Sequence, residues 1–91
     1  MIEMDLVICN QLGLHARASS QVVNTSLKYV SDITLTVVGS SIQANCKSIM
    51  SLLMLGAPYD TLVKVTVSGQ DEIKAAKAIK RLIQNRFGED G

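Results

Sequence analysis

Apolar residues stand at every second position at the start of the chain: Ile2, Met4, Leu6 and Ile8, with Glu3 and Asp5 between them. That alternation predicts a half-buried β-strand over residues 2–9. From Ala16 the period lengthens to that of a helix. Val22, Val23, Ser26, Leu27 and Val30 fall on one face, and Gln21, Asn24, Thr25 and Lys28 look outward. Val and Thr are mediocre helix formers, so this helix depends on packing and should fray over residues 28–31. Ile33, Leu35 and Val37 alternate with Thr34 and Thr36 in a second strand. Residues 38–41 read as a hairpin turn, with a short return strand over 42–45.

Residues 48–55 predict a short, very apolar helix stopped by Gly56 and Pro58. Leu62, Val63, Val65 and Val67 make a last strand, with Lys64, Thr66 and Ser68 towards solvent. Ile73, Ala76, Ile79, Leu82, Ile83 and Phe87 then form the stripe of a final helix, opposite Lys74, Lys77, Lys80 and Arg81. Ser68 and Asp71 have the spacing of a capping box, and acidic Asp71 and Glu72 ahead of later basic residues complement the helix dipole. The order is β-α-β-β-α-β-α. Each amphipathic element needs one covered face, so the economical solution is an α+β two-layer sandwich, a four-stranded sheet with three helices on one side.

Composition narrows the function. Ninety-one residues predict one domain spanning 1–91, and 47% apolar residues with only Tyr29, Tyr59 and Phe87 aromatic predict an aliphatic core. A net charge of +1 and scarce aromatics argue against nucleic acid as a partner. The basic side of the last helix reads as a solvated face. No apolar run is long enough to span a membrane, and Glu3 and Asp5 replace the basic start of a signal region, so a cytoplasmic location is expected. Cys9 and Cys46 form no CxxC pair, and with a single histidine there is no metal site. Both read as small, partly buried thiols.

The chemistry concentrates in Gly13-Leu14-His15-Ala16-Arg17. This run puts the only histidine at a predicted helix start, where unpaired backbone N–H groups and the positive end of the dipole favour an anion. Arg17 adds a guanidinium that grips phosphate oxygens in a fork. A neutral imidazole nitrogen beside such groups suits a nucleophile that becomes a phosphohistidine. Taken alone, the same residues also fit an exposed, structurally satisfied histidine and an arginine lying over its helix.

The run GLHAR, an alternating strand after it, then Lys47-Ser48-Ile49-Met50 and Leu52-Leu53-Met54-Leu55-Gly56, resembles the HPr family of phosphocarriers over essentially the whole chain. The resemblance implies an antiparallel sheet beneath three helices. It also implies a role as a carrier and not an independent enzyme, needing no cofactor or metal. Enzyme I, charged from phosphoenolpyruvate, would present a phosphohistidine, and His15 would take the group through Nδ1, with Arg17 orienting it. The group would then pass to a histidine of an enzyme IIA protein or domain.

Ser48 matches the serine that an HPr kinase/phosphorylase modifies in some family members, although a serine opening a helix is also simply a good N-cap. Ala16, Gln21, Ile49, Met50 and Leu53 are candidates for partner docking. Two residues of the set Ile49, Met50, Leu53 and Met54 are expected to face the core with Leu52 and Leu55. An exposed site serving partners in turn implies a monomer.

Two features depart from the HPr pattern. Ala18 stands where the family usually has proline, which removes some pre-organisation of the first helical turn. The pair Ala44-Asn45, the run from Leu52 to Leu55 and the tail Phe87-Gly88-Glu89-Asp90 resemble NPr, the nitrogen-related relative of HPr. The alternatives are therefore a nitrogen-type carrier, or a purely regulatory interaction module on the same fold.

Overall fold

Four antiparallel strands lie in the order β1-β4-β2-β3, so the central pair brings together strands distant in sequence. In the computed structural model, which describes residues 1–91, the elements are β1 (Ile2–Val7), α1 (Ala16–Ser26), β2 (Asp32–Val37), β3 (Gln43–Asn45), α2 (Ile49–Leu55), β4 (Leu62–Ser68) and α3 (Glu72–Gln84). The register explains why alternation predicted the strands so well. Met4, Val65, Leu35 and Ala44 form one row across all four strands, flanked by the rows Ile2–Val67–Ile33 and Leu6–Val63–Val37. These rows face the helices and carry most of the strands' contribution to the core. Glu3, Asp5, Lys64, Thr34 and Thr36 occupy the opposite face, with Asp5 directly opposite Lys64. The fold is the α+β sandwich expected, with its helices gathered on one side of the sheet.

Two helical faces differ from the periodic reading. α1 buries Ala18, Ser19, Val22 and Ser26, whereas Leu27 and Val30 are 61% and 73% exposed. The helix ends at Ser26, where Leu27 becomes its C-cap, so the expected fraying zone lies beyond it. Small Ala18, Ser19 and Ser26 around Val22 let α1 lie close to its neighbours, and hydrophobicity patterns register alanine and serine only weakly as a packing face. In α3 the buried residues are Ala75, Ala76, Ile79 and Ile83, and Ile73 is exposed. At about 100° per residue, Ile73 points roughly 110° away from the centre of that stripe. Phe87 is buried, yet it lies beyond α3 in a short turn over Arg86–Gly88.

The predicted capping box is also displaced. Asp71 makes no side-chain cap; its carboxylate instead accepts from the backbone N–H of Val30 and Ser31, each at 3.0 Å, and from the Ser31 hydroxyl. Glu72 closes the box one residue later, accepting from Gly69 N–H at 3.2 Å. Asp71 thus staples the turn before β2 to the start of α3. The Ser31 hydroxyl bond, helped by the backbone donors, outweighs the opposing effect of desolvation and holds its carboxyl below the ordinary value.

Both cysteines are free, as expected. Burial pushes the Cys46 thiol up to about 12, and half-buried Cys9 donates weakly to the Ile83 carbonyl at 3.2 Å.

One glycine is indispensable to the loop before α1. Gly13 has φ +67°, and a Cβ there would lie 2.7 Å from the Ala57 carbonyl oxygen and 2.8 Å from Pro58 Cα. Its neighbour Leu14 donates to that same Ala57 carbonyl at 2.8 Å. Backbone cannot retreat as a flexible side chain can. Gly13→Ala is expected to cost about 2–3 kcal/mol. At about 4–8 °C per kcal/mol for a domain of this size, a thermal melt should show a fall of roughly 10–20 °C.

Asp71 makes stability depend on acid. Its folded-state pKa is depressed, so its contribution is present above the unfolded value and is lost as pH falls through the lower folded value. Asp71→Ala should therefore be less stable near neutrality and lose less between about pH 4 and pH 2 than the parent chain. Denaturant titrations across that range read the difference. Equal slopes for the two proteins would contradict it.

Candidate functional site

His15 is the N-cap of α1, with extended backbone (φ −79°, ψ −176°) and a ring turned back over the first turn. Its Nδ1 accepts the Arg17 backbone N–H at 3.2 Å. A nitrogen that accepts has no proton, so in the neutral ring the proton belongs on Nε2. Nε2 faces the carboxylate of Glu89, a partner with a matching need for a donor. The geometry therefore favours the tautomer in which Nδ1 is unprotonated, its lone pair turned to the Arg17 N–H at the positive end of α1.

Glu89 is itself held. Asn10, fully buried, uses its amide N–H groups to reach Gly13 O at 2.8 Å and Glu89 Oε1 at 2.8 Å. Burial by itself would push the Glu89 carboxyl up. Hydrogen bonds from Asn10 and His15, with a smaller electrostatic contribution from Arg17, more than offset this and hold it below the ordinary value. The Asn10 Oδ1 atom is buried without a partner, so this residue acts through its donors.

Ala16 and Arg17 are exposed at the start of α1, and Gln21 is exposed one turn further on. The Arg17 guanidinium takes part in neither ion pair of the chain, which join the Met1 amino group to Glu72 and His15 to Glu89. A cleft of about 430 Å³ opens between Leu12, Arg17 and tail residues 88–91. With alanine at position 18 the first turn still closes, by Ser19 N–H to the His15 carbonyl at 2.8 Å, and Ala18 is fully buried.

α2 packs against α1, and the Leu14–Ala57 hydrogen bond brings the end of α2 beside the start of α1. Leu52 is buried and Leu55 half-buried, as expected. Ile49, Met50, Leu53 and Met54 do not divide between core and surface. All four are exposed, at 38%, 63%, 39% and 81%. Seven residues give α2 two turns, too few for more than one buried row. Ser48 is its N-cap, accepting from Ser51 N–H at 3.3 Å, and Gly56 ends it in the left-handed region. Ser48 stands at the far end of α2, so the apolar residues lie between it and His15.

Asn10 and Glu89 escaped the sequence reading. Residues 10–13 read only as a loop and the tail only as a family likeness, because nothing periodic links positions so far apart. The available signal was an acidic residue in a tail of a chain with a single histidine. No His, Cys, Asp or Glu group gathers to hold a metal, and no helix is long and apolar enough to cross a membrane.

Residues 2–85 match the family model described as PTS HPr component phosphorylation site. The chain belongs to the HPr family. It is 42% identical to phosphocarrier protein HPr of Xylella fastidiosa over 90 residues, covering 99% of each chain. It is 36% identical to part of the multiphosphoryl transfer protein of Escherichia coli O157:H7, covering 98% of this chain and 24% of that one. Among solved structures it resembles HPr-C-His from Thermoanaerobacter tengcongensis, with TM-score 0.92, 37% identity and complete coverage of both chains. HPr membership makes the chain a phosphocarrier of a phosphotransferase system, a carrier and not a catalyst.

The buried Asn10 bridge has a measurable role in this HPr-family site. Asn10→Ala would leave the Gly13 carbonyl and one Glu89 oxygen without their donor. The expected cost is about 1–3 kcal/mol of stability by denaturant melt. Backbone amides of residues 88–91 should also exchange faster with solvent. Unchanged exchange there would mean that Asn10 does not hold the tail.

Proposed function

We propose that His15 carries the phosphoryl group on Nδ1, receiving it from enzyme I and delivering it to enzyme IIA proteins or domains. The observation that carries this reading is the ring's orientation: Nδ1 accepts from the Arg17 N–H while Nε2 faces Glu89. The Nδ1 lone pair attacks phosphorus, and the N–P bond to the donor histidine breaks. The donor nitrogen keeps that electron pair. The proton on Nε2 stays in place, so the phosphorylated ring carries a positive charge beside the Glu89 carboxylate. Onward transfer returns the electron pair to Nδ1.

Arg17 supplies the remaining electrostatics. Its backbone N–H already addresses Nδ1, and its exposed guanidinium can meet phosphoryl oxygens in a fork. One arginine and a helix start stabilise the group without enclosing it. Uniformly tight binding would oppose release to the second partner. His15 is only partly covered, its side chain being 27% exposed, which suits partners that use the site in turn.

Ala16, Gln21, Ile49, Met50 and Leu53 form the docking surface in this reading, supported by their exposure beside the helix start. Flexible methionine suits a surface that serves several partners. Ser48 is the regulatory position. Phosphate there, made by an HPr kinase/phosphorylase, would put roughly two negative charges next to the exposed apolar residues and weaken docking. The protein works as a cytoplasmic monomer. Its donor is a sugar-type or a nitrogen-type enzyme I.

Intact-mass measurement after incubation with phosphoenolpyruvate and each type of enzyme I tests the carrier role. One added phosphoryl group, lost in mild acid and absent from His15→Ala, is the expected result. Arg17→Ala should slow its appearance by about 10–100-fold, the effect of losing charge-assisted bonds from the transition state. Arg17→Lys should fall between, because it keeps charge but not the fork. No transfer from either donor would overturn the carrier reading and favour a purely regulatory module acting through Ser48.

A further inference from the structure

We infer that Glu89 is a positioning residue for the transfer, holding the His15 ring with its proton on Nε2 so that Nδ1 is the nucleophile. This inference rests on the reading of His15 as the phosphoryl acceptor. Glu89 does not touch the reacting nitrogen. It acts through the other end of the ring.

Three observations converge on it. The Glu89 carboxylate meets Nε2 directly, and its side chain is only 10% exposed. The carboxylate is oriented by a second donor, the buried Asn10 amide, whose other N–H is committed to the loop that precedes His15. A freely rotating acid would not be held from both sides in this way. The backbone also accepts an unfavourable conformation to bring Glu89 there: Arg86, Phe87 and Gly88 have φ of 56°, 54° and 78°. A left-handed conformation is ordinary for glycine and unusual for phenylalanine. Phe87, with 4% exposure, anchors the turn in the core, and the next residues return over the start of α1. Strained backbone next to a candidate reactive group is the setting in which a functional constraint is expected.

The electrostatic argument gives the direction of the effect. Attack through Nδ1 turns a neutral ring into a cation, with the Nε2 proton retained. A carboxylate on that proton stabilises the developing charge more than it stabilises the neutral ring, and so lowers the barrier. The same carboxylate is present for both acceptance and delivery. It also covers Nε2, the competing nucleophile, and so directs the phosphoryl group to one nitrogen. The bonds from Asn10 and His15 hold the Glu89 carboxyl below its ordinary value despite burial, with Arg17 adding a smaller electrostatic contribution.

Phosphoramidate tests this without any partner protein. Its P–N bond breaks, ammonia leaves with the electron pair, and a ring nitrogen of His15 forms the new N–P bond. Nitrogen-15 spectra of the ring, with intact mass over time, report the tautomer, the rate and the nitrogen modified. The parent chain should show Nε2 protonated and should be modified at Nδ1 alone. Glu89→Ala should draw the two ring shifts together, react about tenfold more slowly at Nδ1, and give product at Nε2 as well. Glu89→Gln has one acceptor oxygen where two donors converge, so its amide N–H must face either Asn10 or Nε2; it should fall between the parent and Glu89→Ala in tautomer, rate and choice of nitrogen.

A Glu89→Ala protein with unchanged shifts, rate and site would overturn the inference. A faster reaction at Nδ1 would do the same, by making the tail a brake. A Glu89→Ala protein that reacts more slowly yet keeps the parent tautomer and the single site would reduce Glu89 to a structural support of the tail. The carrier reading fails separately: the parent chain would then react with phosphoramidate at Nδ1 but accept nothing from either enzyme I.

Discussion

Between the loop that precedes α1 and the turn that follows α2, backbone lies directly on backbone. Leu14 donates to the Ala57 carbonyl at 2.8 Å, and Gly13 fits against Ala57 and Pro58 only because it has no Cβ. That contact sets where α1 begins and so makes His15, rather than a neighbour, the N-cap. It also brings the end of α2 beside the start of α1, which places the exposed apolar side chains next to the histidine. A side chain at position 13 would push apart the loop that carries the nucleophile and the helix that carries the proposed docking surface. The proposed acceptor and the proposed docking surface thus depend on one close approach between two loops.

The sheet, by contrast, was almost fully readable from alternation. Its inner rows are aliphatic and its outer rows polar, so a slip of one residue would reverse every side chain; period-two patterns therefore specify both strand and register. The helices were less readable where they pack through small residues. Of the periodic face of α1, Val22 and Ser26 are buried, but Ala18 and Ser19 are buried without any apolar signal, while Leu27 and Val30 carry the signal and are exposed. Hydrophobicity marks a face well when large side chains fill a gap and poorly when small ones allow close approach. Asp71 illustrates a related limit: its spacing matched a cap, but a tertiary partner in Ser31 took its carboxylate instead.

The site divides in the same way. His15 and Arg17 stand out as candidates because their spacing is local, arising from one helix start. The residues alone also fit a structurally satisfied histidine, and only the HPr resemblance tips the reading. Ser48 likewise was expected to open a helix, and it does. Asn10 and Glu89 were not recognisable, because their roles exist only after the tail has folded back across the molecule. Long-range polar contacts between residues without periodic spacing leave no pattern in a single sequence. The four exposed apolar residues of α2 were half-anticipated. Their number was noticed, but two turns of helix cannot bury as many of them as composition suggested.

A net charge of +1 is a further constraint on how such a carrier can work. With no strong overall field to hold an anion, stabilisation of a phosphoryl group must be local, and here the local groups have opposite signs. In the proposed transfer the helix start and Arg17 favour the incoming group, and Glu89 favours the positive charge that the ring would acquire. Placing the carboxylate on Nε2 keeps it across the ring from the site of attack, so attraction to the cation need not become repulsion of the phosphoryl oxygens. The balance suits a group that must be accepted and surrendered over similar barriers. Both sides stabilise the phosphorylated ring, so strengthening either one alone would favour retention over release. A ring held between a helix start and a carboxylate satisfies both demands without a closed pocket, leaving the surface open to successive partners.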